Sequence, residues 1–128
     1  MEFGLFAKTL KSEERKIENF EWGTLTWYVS KELGNSELIT AGICTIKPGC
    51  SNPRHLHPNC EEILYVQEGE IFHSYGEDSG SGVSLNGGCS ISIPSGILHN
   101  AKNVCESDAV LLILFSSAER QTISPGGS

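Results

Sequence analysis

The chain has 128 residues, enough for one hydrophobic core and not two. Its net charge of −7, from 16 acidic against 9 basic side chains, gives it no electrostatic reason to seek nucleic acid, so no DNA or RNA partner is expected. No 18-residue apolar segment, basic stripe or lipidation signal is present, so no membrane partner is expected either.

In chain order, residues 12–20 carry a helix-like charge pattern, the only such stretch. Residues 21–29 alternate and hold Trp22, Trp27 and Tyr28, which predicts an extra strand on a sheet edge, closed by a turn at Leu33-Gly34-Asn35. The run Ile43-Cys44-Thr45-Ile46 ends in Lys47-Pro48-Gly49, a turn signal. Residues 62–66 alternate into Gln67-Glu68-Gly69, a predicted hairpin tip, and residues 71–75 return. Residues 76–82 are rich in Gly, Ser and acid, as in an exposed loop. Ile91-Ser92-Ile93 leads into Pro94-Ser95-Gly96, and the apolar run 110–115 suits a strand buried on both faces. The last residues, from Ser124 on, read as a flexible tail. Many short strands joined by turns predict an all-β sandwich or barrel, with no internal repeat and therefore a single domain.

Three of the four histidines fall into one pattern with a carboxylate: His55, His57, Glu62 and His99. On a strand, His55 and His57 project to one face, roughly 7 Å apart, a spacing that lets two imidazoles meet one ion. Three imidazoles and one carboxylate form a mixed nitrogen and oxygen set, too small to fill an octahedral ion, so the remaining positions are left to water or substrate. Glu61 is the alternative carboxylate; strand parity turns it to the opposite face from Glu62.

The residues around these four resemble the two motifs of the cupin family. Gly49, five residues, His55-x-His57, four residues, Glu62, six residues and Gly69 reproduce the first. Gly88, five residues, Pro94-x-Gly96, two residues, His99, three residues and Asn103 reproduce the second. The resemblance covers residues 38–116, flanked by an N-terminal extension (1–37) and a C-terminal tail (117–128). It implies a jelly-roll barrel (a double-stranded β-helix) with an N-terminal strand extension. It also implies one divalent transition metal (iron, manganese, nickel, zinc or copper) on His55, His57, Glu62 and His99. Small cupins are often dimers, and a homodimer would cover an exposed edge strand carrying Trp.

If the hairpin tip lies at Glu68-Gly69, Val66 faces Ile71, Leu64 faces His73 and Glu62 faces Tyr75. Tyr75 then lies beside the metal as a hydrogen-bond donor. His73 lies deeper, as a partner of the ligands, a general base or a satisfied core histidine. These two are the candidate catalytic residues. Arg54 and Lys102 are expected to be solvated, which leaves the pocket without an evident cation and suited to a neutral or weakly polar ligand. Asn103 is read as an amide tying down loop backbone. Cys44 and Cys89 read as packing residues and Cys60 as a small loop residue near the site. Five cysteines without paired spacing, and an N-terminus without an apolar signal region, point to a reducing, cytoplasmic setting.

The reading favoured is a metal-dependent enzyme acting on a small organic molecule: a dioxygenase, decarboxylase, isomerase or lyase. The alternative is a non-catalytic small-molecule-binding or sensor protein. A storage role ranks last because all four ligands are intact. Thiol-dioxygenase relatives usually lack the motif glutamate, so Glu62 argues against that branch. Fold alone does not decide between these readings.

Overall fold

The computed structural model describes residues 7–77 and 80–125. A 3-10 turn at Ser12–Glu14 leads into nine strands: β1 (Lys16–Phe20), β2 (Gly23–Val29), β3 (Thr40–Ile46), β4 (Glu62–Glu68), β5 (Glu70–Tyr75), β6 (Gly82–Asn86), β7 (Ser90–Ile93), β8 (His99–Asn103) and β9 (Ala109–Phe115). They form a six-stranded sheet, β1-β2-β3-β9-β4-β7, facing a three-stranded sheet, β6-β5-β8. Every pairing between them is antiparallel. This is the expected all-β jelly roll. Residues 49–55 run along the free edge of β8, bonded from Gly49 N to Asn103 O and from His55 N to His99 O.

The core lies between the sheets. Side chains alternate along each strand, so Cys44, Ile46, Leu64, Val66, Leu111, Ile113 and Phe115 line the inner face of the large sheet. Ile71, His73, Leu85 and Ala101 come from the small one. One inner row reads Ile93, Glu62, Phe115, Thr40 across neighbouring strands, which seats a carboxylate beside an aromatic ring. The next row brings Trp27 opposite Gly42. A Cβ at Gly42 would stand 2.6 Å from Trp27 Cε3, so the missing side chain is what lets the indole lie flat over β3.

Four expectations are corrected. The stretch 12–20 is helical only over Ser12–Glu14; Lys16–Phe20 is the edge strand, and its inward residues are Glu18 and Phe20. The predicted pairing of Glu62 with Tyr75, Leu64 with His73 and Val66 with Ile71 does not form. Both edges of β4 are already bonded, to β9 and to β7, so the chain turns at Gly69 (φ 97°) and crosses to the opposite sheet. The run 110–115 is not buried on both faces: β9 alternates, and Leu112 lies on the outer face with 36% of its surface exposed. Trp27 does not stand exposed on an edge but is buried, and Trp22 packs against the core.

The C-terminal segment is less free than its composition implies. Ile123 exchanges two backbone hydrogen bonds with Leu56, and Ala118 is buried. Residues 117–124 form a strap across one end of the barrel. The last three residues of the expected flexible tail, and positions 78–79 of the loop 76–82, lie outside the described residues.

Candidate metal centre and its cavity

Each of the four donors arrives by a different local device. Glu62 opens β4 and points inward, while Glu61 is exposed, as parity requires. His99 opens β8, and His55 is its cross-strand partner. His57 follows two residues on, where the chain leaves that edge; its carbonyl accepts a hydrogen bond from Gly96 N (2.9 Å) and another from Ser95 Oγ. The Pro94-Ser95-Gly96 turn, with Gly96 at φ 81°, therefore both aims His99 inward and braces His57.

The ligand atoms of His55, His57, Glu62 and His99 all lie within 4.8 Å of one another. His57 Nε2 and His99 Nε2 stand 3.2 and 3.3 Å from the same oxygen, Glu62 Oε1. All three atoms are buried and lack a properly oriented hydrogen-bond partner among the described residues. A buried polar atom left unpaired costs about 1–3 kcal/mol, so three at one point are costly unless something binds them together. The second nitrogens settle the tautomers. His55 Nδ1 lies 2.7 Å from Pro53 O and His57 Nδ1 lies 2.9 Å from Gln121 O. Carbonyls only accept, so these Nδ1 atoms carry the proton and the Nε2 lone pairs face the centre. Burial holds His55 down at about 4 and His99 at about 2, so both imidazoles are neutral donors at pH 7. Burial also raises the Glu62 carboxyl, against the pull of nearby His57 and of the Arg120 charge. Three imidazoles with one carboxylate that burial disfavours as a free ion fit a divalent transition metal. These four residues form a metal site, and the half-buried His55 marks its more open side.

His73 is fully buried, and its Nε2 lies 3.1 Å from His99 Nδ1. With His99 Nε2 facing the centre, His99 Nδ1–H donates to His73 Nε2, leaving the His73 proton on Nδ1. It is thus the hydrogen-bond partner of a ligand. Tyr75 is placed differently. It pairs with His99 across β5 and β8, and its ring lies 6.5 Å from that of His73. It is nevertheless 40% exposed and does not line the cavity. Arg54 is only partly exposed: it donates to Ser74 Oγ and Gly76 O, tying the ligand-bearing segment to β5 and the turn after it. Lys102 is exposed. Asn103 is fully buried and braces backbone at Ile46, Ser107 and Cys105. All five cysteines are free, and burial pushes the Cys44 thiol up to about 12, so it meets the cavity as a neutral group.

A cavity of about 300 Å³ opens beside the donors. Its walls are chiefly apolar, from Phe20, Trp22, Leu25, Trp27, Leu111 and Phe115. The strap adds Arg120, Thr122 and Ser124. The Arg120 guanidinium sits 4.3 Å from the centroid of Trp27 and 5.4 Å from that of Phe115. Sequence reasoning missed Arg120 because it belongs to no motif and lies in a segment read as a tail. Trp22 and Trp27 were noticed but assigned to an edge.

Two outcomes follow. His57→Ala and His99→Ala should abolish metal binding, while His73→Phe, which removes only the partner of His99, should weaken it by roughly 10–100-fold; elemental analysis and metal titration check this. In the metal-free protein, the unfolded-state imidazoles take up protons near pH 6.5, whereas folded His55 and His73 stay neutral down to about 4. The unfolded state therefore binds more protons, and stability should fall as pH drops from about 6.5 to about 4, with Glu62 acting in the opposite sense. Thermal midpoints across that window read it; a midpoint that rises on acidification contradicts it.

Comparison with known proteins agrees with this architecture. Residues 42–115 match the Cupin domain family. A probable germin-like protein, subfamily 2 member 5, of Arabidopsis thaliana is 35% identical over 72 residues, covering 55% of this chain and 34% of that protein. Oxalate oxidase GF-3.8 of Triticum aestivum is 33% identical over 75 residues, covering 55% of this chain and 34% of that protein. The chain thus aligns with about a third of the length of these relatives. Among solved structures, an oxalate decarboxylase of Lactobacillus farciminis in complex with formate superposes with a TM-score of 0.80 at 24% identity. It covers 88% of this chain and 34% of that one. A Bacillus subtilis oxalate decarboxylase, described with Mn(II) centres, gives 0.78 at 22% identity over 88% and 30% of the two chains. With both motifs, the barrel and the four converging donors in place, the chain belongs to the cupin family.

Proposed function

We propose that this cupin is a metal-dependent enzyme that oxidises or decarboxylates a small organic molecule. The observation that carries the reading is the buried His55-His57-Glu62-His99 set opening onto an apolar cavity of about 300 Å³. Four protein donors leave two positions open on a six-coordinate ion such as manganese or iron, where a substrate can bind. The germin-like and oxalate oxidase relatives support oxidase or decarboxylase chemistry, and the Mn(II) centres of the Bacillus subtilis protein support manganese as the first ion to try.

Such an ion, when bound, supplies Lewis-acid and one-electron chemistry to a substrate at its open side. The chain's own residues do the remainder. Carbonyls of Pro53 and Gln121 hold the His55 and His57 rings in their donor tautomers. His73 takes the hydrogen bond of His99 Nδ1–H and so fixes the third ring. Phe115, edge-on to His57 at 4.9 Å, and the aromatic wall beyond it keep water away from the reacting end.

Protein loaded with Mn(II) or Fe(II) should consume oxygen or release carbon dioxide with members of a carboxylic-acid panel beginning with oxalate, and His57→Ala should lose that activity together with the metal. A fully loaded protein inert toward the whole panel would move the assignment to a binding protein.

The same proposal includes a homodimer, supported by the outer face of the large sheet. Ile17, Ile43, Leu112 and Tyr65 lie in line across β1, β3, β9 and β4, with Ile63 beside them. Ile17 is 48% exposed and Tyr65 40%. A row of this kind is normally covered. Light scattering should give the dimer mass for the wild type and the monomer mass for Tyr65→Glu; a monomeric wild type at micromolar concentration ends this part of the proposal.

A further inference from the structure

Among the described residues lining the cavity, Arg120 is the one Lys or Arg. Its contacts are unusual for a partly buried guanidinium. Nη1 donates to Thr122 Oγ1 at 2.8 Å, and the plane rests on Trp27 and beside Phe115. Among the described residues no carboxylate lies within 4.0 Å of it. Glu18, whose charge reaches Arg120 from beyond that distance, accepts the Trp27 indole N–H at 2.8 Å through its Oε1. A guanidinium out of water calls for an anionic acceptor, and its fork of N–H groups matches a carboxylate. The aromatic stack holds the side chain in place, so little further ordering is needed when an acceptor arrives.

The position of that cation relative to the metal donors gives the ligand its shape. The Phe115 ring borders both His57, at 4.9 Å between centroids, and Arg120, at 5.4 Å. One aromatic ring therefore borders both the donor set and the guanidinium, whose charge also reaches His55 and Glu62. The rest of the lining, from Phe20, Trp22, Leu25 and Leu111, rewards apolar surface and offers a small, wholly polar diacid nothing to bury against.

We propose that Arg120 is the specificity-determining residue of this site, accepting the carboxylate of a substrate acid with an aryl or branched-alkyl body that fills the aromatic cavity and directs its other end to the metal. This deepens the metal-dependent reading above and rests on it. It also replaces the expectation of a neutral ligand, which followed from considering only Arg54 and Lys102.

The test is calorimetric binding of 3-phenylpropionate, its amide and acetate to the Mn(II)-loaded protein, and to Arg120→Gln loaded the same way. The acid should bind the wild type at least about ten-fold more tightly than either the amide, which lacks the charge, or acetate, which lacks the body. In Arg120→Gln the acid-over-amide ratio should collapse to roughly one. A wild-type ratio near one, or acetate binding as well as the aryl acid, overturns the proposal. A ratio that persists in Arg120→Gln also overturns it, because the carboxylate then sits on the metal. Should Arg120→Gln lose metal or fold poorly, Arg120→Lys carries the comparison: a ratio reduced by roughly three-fold or more supports the fork, and an unchanged ratio overturns it. Turnover is measured separately, so a protein that binds the acid through Arg120 without consuming it counts against the enzymatic reading and not against this one.

Discussion

Three buried lone-pair atoms, His57 Nε2, His99 Nε2 and Glu62 Oε1, are drawn to one point without a proton properly shared among them. Polar atoms out of water are tolerated when they are bonded, and here they approach to 3.2–3.3 Å without forming a well-oriented hydrogen bond. At about 1–3 kcal/mol each, they weigh heavily against the roughly 5–15 kcal/mol by which a domain of this size is typically stable, so a bound cation contributes to stability as well as to chemistry. The surroundings serve the same centre. The carbonyls of Pro53 and Gln121 set tautomers, His73 sets the third ring, and the Pro94-Ser95-Gly96 turn is bonded to the backbone of His57 itself.

The metal donors were legible because their spacing is tied to backbone geometry that few residues satisfy. Gly49, Gly69, Gly88 and Gly96 all adopt positive φ, so the glycines that frame the motifs are as diagnostic as the ligands. Parity separated Glu62 from Glu61 for the same reason: alternation along a strand is local, and a local rule needs no knowledge of the partner strand.

What failed were readings that depended on partners. Whether residues 62–66 and 71–75 form a hairpin is decided by competition for the edges of β4, which β7 and β9 win, and nothing within the two strands reports on that contest. His73 was still placed inside the barrel, because both sheets present that parity to the core; the expected facing of Glu62 and Tyr75 dissolved. The alternating burial of β9 escaped notice because an apolar run looks the same whether its outer face is covered or not. Trp27 was visible as a large aromatic, but its inward seat depends on Gly42 in the neighbouring strand. Arg120 left no trace in any pattern, since a lone arginine in a polar segment acquires meaning only from the indole and phenyl rings that receive it.

The strap that crosses the end of the barrel joins two properties usually thought of as separable. Its Gln121 carbonyl fixes the orientation of His57, and Arg120, one residue earlier, lines the cavity against Trp27 and Phe115. Two adjacent residues thus serve the ion and the cavity through one stretch of backbone. Replacements that reshape the cavity from this side also shift the carbonyl that holds a ligand ring, so substrate range and metal retention are coupled here. Phe20, Trp22 and Leu25 line the same cavity from a separate stretch of backbone, which holds no ligand ring in place. A lineage of such barrels can therefore explore new substrates freely from its N-terminal strands and only under constraint from its C-terminus.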